Sequence, residues 1–482
     1  MRTEPTTFGI ARAALAMLLV ACGYLAWAGW NEPRWSTPEP TGHHLPLYGR
    51  SLLEGHAWVR PAPPEMSRLP DPWDPEQYRG LEYFDLSYWN GRLYSYFGVV
   101  PALTLFAPWT ALSGAYLTEA FAAALYASAG FAVAFGLLLA IRRRLLPAAP
   151  GWSVALAGAV LAGGNLVLLL LLPLFYGQVV QASAWFWLAV ALAAGFASTG
   201  PGARARAWLA VSSLACGLMV GSRPSHAGAT LLLLPFLAAA LADRRGAAGR
   251  RSRGSDSPWR LAACAALPLA IVIAGLLAFN QARFGSPFEF GLRFQQFGQD
   301  RRRLAFFSLD WAGEHLASHL FNRPPMDASF PFFANEPTTL GALVFLPFDW
   351  LVLLVPAGLA IRDAALRRRF VAVASAAALA TVAILLVTSS FYLAIARHAV
   401  DFLLPASWLA GLGLVAAAHG LRTRPWPRRT LALVAGLLAA VSIASTLCAS
   451  MADWNHPELP WFERAMNALA GLVRGASGGD GG

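Results

Sequence analysis

The architecture of this 482-residue chain is clearest from residues 117–144, LTEAFAAALYASAGFAVAFGLLLAIRRR. An apolar run with one early acid ends there in three consecutive arginines, Arg142 to Arg144. About 20 helical residues cross the hydrocarbon core of a bilayer, so this run is long enough to span it. Short loops rich in arginine lie preferentially on the cytoplasmic side. The stretch is therefore predicted to be a transmembrane helix that runs inward.

The whole chain repeats this pattern. It is 57% hydrophobic and 13% charged, whereas about a quarter of the residues of a soluble protein are charged. Every basic residue is an arginine, and the arginines cluster in short segments between apolar runs. This arrangement indicates cytoplasmic loops and not a nucleic-acid-binding surface. Together with the abundant alanine, glycine and proline, it favours a bacterial source and the cytoplasmic (inner) membrane.

The predicted fold is an all-α, polytopic membrane protein with about eleven transmembrane helices and a cytoplasmic amino terminus. Residues 26–28, Ala-Trp-Ala, also resemble a signal-peptide cleavage site, although an uncleaved first helix is preferred because many spans follow. The predicted spans are residues 9–30, 117–141, 152–173, 180–198, 207–221, 227–242, 259–280, 341–361, 371–391, 398–418 and 430–449.

Two long loops are predicted on the external side, within a single domain that covers residues 1–482. They are residues 31–96 and 281–340, and an external tail follows from residue 450 to a disordered end, GASGGDGG. The apolar segment 97–114 is predicted to be an interfacial helix, because a crossing there would place the arginines of 142–144 outside.

Asp85 is the most suggestive acid of the first loop, in YFDLSYWNGRLYSYFGVVP (83–101). A belt of aromatic residues at the membrane surface would explain the tyrosines alone. A carboxylate at that depth is partly desolvated, however, so it should be paired or functional. Asp71 and Asp74 could give two ligands to a divalent cation, but no third ligand is evident. The four cysteines lie in apolar runs and predict neither a disulfide framework nor a metal site.

Arginines recur beside aromatic residues or helix ends in three other stretches. These are FNQARFGSPFEFGLRFQQFGQDRRR (279–303), GSRPSHAG (221–228) and IARHAVDF (395–402). Guanidinium groups bind phosphate oxygens in a two-pronged geometry, which suits a lipid headgroup. Anchoring on anionic lipid, or an ion pair between Arg397 and Asp401 on one helical face, would be the simpler interpretation.

The sequence contains no phosphate-binding glycine motif, serine triad or metal-ligand cluster. Its chemistry would therefore need a donor that is already activated and already in the membrane. A polyprenyl-phosphate sugar meets this requirement, because its phosphate can leave when cations stabilise it. One carboxylate would then suffice as general base for the acceptor hydroxyl.

Several stretches resemble those of the GT-C membrane glycosyltransferases, which include protein mannosyltransferase-like and aminoarabinose-transferase-like members. These stretches are HHLPLYGRSLLEGHAWV (43–59), LSYWNGRLYSYFGVVPALTLFAPWTALSG (86–114), GSRP (221–224), FNQARFGSPFEFG (279–291) and ARHAVDFLLP (396–405). The resemblance implies a GT-C fold and transfer of a hexosyl or pentosyl group from a polyprenyl-phosphate donor. The acceptor would be a glycan, lipid or protein on the extracytoplasmic face.

The resemblance also implies a catalytic acid in the first loop, but the corresponding place reads Gly42-His43-His44. Asp85, in the setting D-x-x-x-x-N-G-R-x-Y, is the preferred base, and Glu39 is the alternative. Two other functions stay open, a transporter or flippase for lipid-linked sugars and a non-catalytic membrane protein of the same fold. The candidate donor-phosphate ligands are Arg223, Arg283 and Arg397, and the candidate substrate contacts are His44, Arg92, Tyr94, His398 and Asp401. No cofactor is predicted beyond the metal alternative.

Overall fold

The computed structural model describes residues 7–39, 44–81, 83, 85–171, 176–200, 204–247, 257–296, 298–333, 339–452, 463–468 and 470–471. His43, which the sequence comparison singles out, and most of the predicted external tail lie outside these ranges.

The described residues form fifteen α-helices and five short strands. The helices are α1 (Thr7–Asn31), α2 (His44–Leu53), α3 (Pro75–Tyr78), α4 (Ala107–Ser113), α5 (Glu119–Arg144), α6 (Gly151–Gly163), α7 (Tyr176–Ser198), α8 (Ala205–Ser222), α9 (Leu233–Ala247), α10 (Pro258–Phe284), α11 (Leu309–Phe321), α12 (Ala342–Phe345), α13 (Ala364–Ser390), α14 (Ala396–Gly420) and α15 (Pro425–Ala452). The strands are β1 (Ser36–Thr37), β2 (Arg60–Pro61), β3 (Ser87–Trp89), β4 (Arg92–Tyr94) and β5 (Tyr116–Leu117).

Nine helical segments in the described ranges are long and apolar enough to cross a bilayer. The chain is thus a multi-pass membrane protein, and the predicted all-α architecture is confirmed. Nine of the eleven predicted spans coincide with these segments. They are α1, α5, α7, α8, the segment from Pro224 through α9, α10, α13, α14 and α15.

The two remaining predicted spans are not continuous α-helices. The first divides at Gly163 and Gly164 into α6 and a 3₁₀ segment, Val167–Leu171. The second consists of the single turn α12 and a 3₁₀ segment, Pro347–Ala360, which contains a second proline. Glycine and proline both disfavour a regular helix interior, because glycine loses the most backbone freedom and proline lacks a donor. Hydropathy alone does not distinguish such segments from helices.

Helix α14 lies at the centre of the bundle, and nearly all of its side chains are buried. Its Trp408 is fully buried, and the indole nitrogen donates to the carbonyl oxygen of Ala134 in α5 at 3.0 Å. Helices α1, α10 and α15 are mostly exposed and form the periphery. The central helix therefore holds its residues in fixed positions relative to α5, α7 and α13, which pack around it.

The bundle has two chemically different ends. At one, which we call the arginine end, α5 finishes at Arg144 and Arg369 of α13 donates to the Thr199 hydroxyl beyond α7 at 3.1 Å. At the other, the loop end, residues 32–118 and 285–341 connect the helices and contact each other. The positive-inside rule would place the arginine end in the cytoplasm.

The two loops pack together through backbone and side chains. Strands β2, β4 and β3 form a small antiparallel sheet, and Ser87 of β3 makes a further bridge to Gln295 in the second loop. Arg302 of the second loop forms a salt bridge of 2.6 Å with Asp71 of the first. Segment 97–114, expected at the interface, is helical from Ala102 to Ser113.

Candidate active site

A cavity of about 970 Å³ opens at the loop end of the bundle. Its walls come from both loops, from the start of α7, from the turn after α8 and from the connection between α13 and α14. We call it the central cavity. Binding sites for small molecules typically measure about 300–1,000 Å³, so it could hold a sugar phosphate and the first part of a lipid chain.

One wall of the central cavity carries a carboxylate with several partners. Asp85 is 8% exposed, and its Oδ1 accepts hydrogen bonds from the Tyr96 hydroxyl at 3.2 Å and from the Gln295 side-chain amide. The Oε1 of Gln295 in turn accepts a hydrogen bond from Arg301. Asp85, Tyr96, Gln295 and Arg301 form what we call the carboxylate corner.

A tight hairpin brings Asp85 and Tyr96 together. Asn90 and Gly91, which join β3 to β4, have φ values of 47° and 71°. Asn-Gly with both residues at positive φ is the preferred two-residue hairpin turn. Asp85 precedes β3 and Tyr96 follows β4, so the two side chains meet at the open end of the hairpin.

The second loop holds this end of the hairpin in place. The Ser87 hydroxyl donates to the carbonyl oxygen of Gly291 at 2.7 Å, and the backbone nitrogen of Gln296 donates to that of Leu86 at 3.1 Å. Asp85 itself has a φ of 63°, which few residues other than glycine adopt. Such a conformation costs about 1–3 kcal/mol and persists when its surroundings fix it.

Two tyrosines beside Asp85 remain protonated. Burial raises the pKa of Tyr96 well above its usual value, and the negative charge of Asp85 raises it further. The pKa of Tyr392 is also raised, chiefly by burial, although nearby Arg301 acts in the opposite direction. The Arg301 guanidinium lies 5.7 Å from the centre of the Tyr392 ring. Both phenols therefore act as hydrogen-bond donors near the carboxylate.

A second polar group of the cavity is centred on an ion pair between Arg223 and Asp401. The side-chain nitrogen of Gln181 donates both to Asp401 Oδ1 at 3.1 Å and to the carbonyl oxygen of Arg397 at 2.8 Å. His398 lies beside them, with its ring 5.4 Å from that of Phe391. We call this set the cationic corner.

Chain geometry explains why Arg223 lies in the cavity. Helix α8 ends at Ser222, and Arg223 is extended, with φ −147° and ψ 100°, because Pro224 follows. Gly98 of the first loop packs directly against the backbone of Gly221 and Ser222. The first loop and the end of α8 thus form adjacent walls.

The structure brings together half of the residues proposed from the sequence. Asp85, Arg223, Arg397, His398 and Asp401 all line the central cavity. The ion pair that Asp401 forms with Arg223 joins α14 to the end of α8, a contact that the sequence did not suggest.

The other five proposed residues lie outside the cavity lining. Arg283 is buried between Phe279 and Phe284 and donates to the Ser95 carbonyl oxygen at 2.8 Å, which indicates a structural role. Tyr94 packs on Phe284, with ring centres 5.1 Å apart. The remaining three have no common surrounding: Arg92 is exposed over the Trp58 ring, Glu39 is exposed, and His44 is buried in α2.

Three polar residues of the site carried no signal in the sequence. Gln181, Gln295 and Tyr392 are uncharged and stand in apolar or aromatic stretches. Within the described residues, no group of three histidine, cysteine, aspartate or glutamate side chains is arranged to hold a metal ion. Asp71 and Asp74 serve locally, the first in the salt bridge with Arg302 and the second as the amino-terminal cap of α3.

Comparisons with known proteins complete this description. No protein-family description matches the chain, and neither does the sequence of any curated protein. Among solved structures, the chain is similar to ArnT from Cupriavidus metallidurans, crystallised with bound undecaprenyl phosphate. The identity is 14%, the match covers 98% of this chain and 80% of that chain, and the TM-score is 0.44. A likeness this loose transfers no residue role or ligand to the present chain.

Proposed function

We propose that this protein is a membrane glycosyltransferase that moves a sugar from a polyprenyl-phosphate donor to an acceptor hydroxyl. The observation that carries the proposal is the shared lining of the central cavity. Asp85 from the first loop and Arg223 and Arg397 from the helix ends, all remote in sequence, face the same space. A base for the acceptor and cations for a phosphate are the two groups that this transfer requires.

The cationic corner is suited to the phosphate of the donor. Arg223 is 17% exposed at its side chain and opens to the cavity while it pairs with Asp401. This pairing fixes the guanidinium and limits the rotamer freedom that a phosphate would otherwise have to restrict. The phosphate gains negative charge as it leaves, so cations fixed around it stabilise the transition state more than the ground state.

The carboxylate corner is suited to the acceptor. The hydroxyl oxygen of the acceptor attacks the anomeric carbon of the sugar and forms the new glycosidic bond. The bond from that carbon to the phosphate oxygen breaks, and its electron pair leaves with the polyprenyl phosphate. The hydroxyl proton passes to Asp85, so that one carboxylate completes the exchange.

Apolar side chains on the cavity wall suit the lipid part of such a donor. Phe288, Phe307 and Leu393 line the cavity and are 78%, 54% and 40% exposed. Exposed aromatic and aliphatic residues at the end of a membrane bundle can contact a polyprenyl chain within the bilayer. By the positive-inside rule, the loop end and hence the reaction would lie on the extracytoplasmic face.

The lipid that copurifies with the protein tests this function for any donor sugar. The protein is expressed in a bacterial host, purified in mild detergent and extracted, and its lipids are identified by mass spectrometry. We expect polyprenyl monophosphate, free or linked to a sugar, at a level well above that of an unrelated multi-pass protein prepared in parallel. A preparation that retains only bulk phospholipid would contradict the proposal.

A further inference from the structure

Gln295 and Arg301 are almost completely buried beside Asp85, at 3% and 5% exposure. Both belong to the second loop, whereas Asp85 belongs to the first. We propose that these two side chains are positioning residues, which orient the Asp85 carboxylate for proton transfer and couple that orientation to docking of the second loop. This inference rests on the glycosyltransferase function proposed above.

The direction of the hydrogen bonds is fixed by chemistry. A guanidinium can only donate, so the Gln295 atom that faces Arg301 must be the amide oxygen. The amide nitrogen then faces Asp85 and donates to Oδ1. An ionised carboxylate only accepts, which is the partner this nitrogen requires. Gln295 is therefore polarised between a cation and an anion.

A third group fixes the same carboxylate oxygen. The Tyr96 hydroxyl also donates to Oδ1, at 3.2 Å, from a different direction in the chain. Two donors on one oxygen determine the plane of the carboxylate and hence where Oδ2 points. This matters because the acceptor proton must meet that oxygen at hydrogen-bonding distance, about 2.6–3.2 Å between heavy atoms.

The second loop is in turn tied to the first near Arg301. Asp300 accepts a hydrogen bond from the backbone nitrogen of Arg302 at 3.0 Å and caps the 3₁₀ turn Arg301–Arg303. Arg302 also forms the salt bridge to Asp71 and lies 4.9 Å from the centre of the Trp73 ring. The turn that presents Arg301 is thus anchored on the first loop. Its docking brings the positioning pair to the base.

Gln295→Glu is the sharpest test, because it replaces a neutral donor with an acceptor of nearly equal size. The second carboxylate would repel the charge on Asp85 and lose the hydrogen bond to it. We expect kcat for sugar transfer to fall about 10- to 100-fold. The acid limb of the pH profile should move to higher pH by about one unit. The donor KM should change less than about threefold, because the cationic corner is intact.

Arg301 is tested with a matched set of substitutions in the same turn. Arg301→Gln should lower kcat and shift the acid limb in the same direction, since a cation beside Asp85 is lost. Arg301→Lys, which keeps the charge, should restore part of the rate. Arg303→Gln is the control, because it removes one arginine from the same turn, but that side chain is exposed and does not line the cavity.

The outcomes separate this inference from the proposed function. Wild-type transfer together with unchanged kcat and pH profile in Gln295→Glu and Arg301→Gln would overturn the positioning role and leave the transferase intact. Absence of transfer by the wild type, with no copurified polyprenyl phosphate, would overturn the function itself. Retention of the copurified lipid by each variant shows that it is folded, so a loss of kcat then supports positioning.

Discussion

Arg223 is the single residue that most directly links the end of a helix to the proposed phosphate. It lines the central cavity and is held by Asp401. Charge-assisted hydrogen bonds to an arginine contribute about 1.5–3 kcal/mol. Arg223→Gln should therefore lower the amount of copurified polyprenyl phosphate by about tenfold or more. Quantitative mass spectrometry of the extracted lipid measures this directly.

Arg92→Gln is the matched control for that change. Arg92 is an exposed arginine of the same loop end, and its guanidinium lies over the Trp58 ring outside the cavity lining. It should leave the lipid content unchanged. Equal lipid loss in both variants would show that general surface charge retains the lipid, and equal retention would remove Arg223 from the phosphate site.

At the residue scale, sequence reasoning located charged groups better than neutral ones. Asp85, Arg223 and Asp401 were proposed because a charge near a membrane is costly and needs a reason. Gln295 lies 210 residues from Asp85 and carries no such cost. Its role depends on which loop packs on which, and that pairing is a tertiary property. Arg283 shows the converse, because an arginine near the membrane can be satisfied by backbone carbonyl and aromatic groups.

The contact between the first loop and α8 depends on a glycine. A Cβ at Gly98 would overlap the carbonyl oxygens of Gly221 and Ser222, which belong to backbone and cannot rotate away. Gly98→Ala should therefore separate the first-loop wall from Arg223 and reduce transfer more than tenfold, with a lower thermal unfolding temperature in detergent. Gly275→Ala, at a position in α10 with open space, should have normal activity. Normal transfer by Gly98→Ala would show that this approach is not required.

Helix α11 contains a histidine whose burial makes stability depend on pH. His319 is fully buried, with its ring 5.6 Å from that of Phe402, and burial, with a smaller effect of His315, lowers its pKa to about 4. The unfolded state binds a proton near pH 6.5 whereas the folded state does not. The stability contribution is therefore complete above about pH 6.5 and is lost as the pH falls toward about 4.

His319→Leu should remove that dependence. We expect its thermal unfolding temperature to change less than that of the wild type between pH 6.5 and pH 4.5. His56→Leu serves as a control, because His56 is exposed. A wild-type-like pH dependence in His319→Leu would assign the acid sensitivity to other groups.

At the element scale, hydropathy predicted the long helices well and the irregular segments poorly. Apolar runs such as α10 and α13 are long and continuous, so their length alone identifies them. The stretches that became α6 with its 3₁₀ extension, and Pro347–Ala360, have the same apolar character. Their backbone departs from an α-helix at glycine and proline residues, whose effect depends on the neighbouring helices.

The orientation of the whole molecule follows from its arginine clusters and can be measured. Single cysteines are introduced after replacement of the four native ones. Ser67→Cys, exposed at the loop end, should react with a membrane-impermeant maleimide in intact spheroplasts. Arg424→Cys, exposed at the arginine end, should react only after the membrane is opened. The reverse pattern would place the central cavity on the cytoplasmic side.

The whole molecule can thus be understood as a rigid bundle that presents two loops around one cavity. The bundle supplies fixed helix ends, α14 supplies Asp401 from its centre, and the loops supply the carboxylate corner. Rigid elements with polar groups at one end suit catalysis, because small displacements of the reacting groups reduce the rate strongly.

Transfer by Asp85→Asn tests the central claim most directly. Purified protein in proteoliposomes receives a panel of polyprenyl-phosphate hexoses and pentoses with a bacterial envelope extract as acceptor, and release of polyprenyl phosphate is followed by mass spectrometry. We predict release by the wild type and by Glu39→Gln, whose side chain is exposed and outside the cavity lining. Asp85→Asn should bind the donor but release at least about 100-fold less. Release at the wild-type rate by Asp85→Asn would contradict the account.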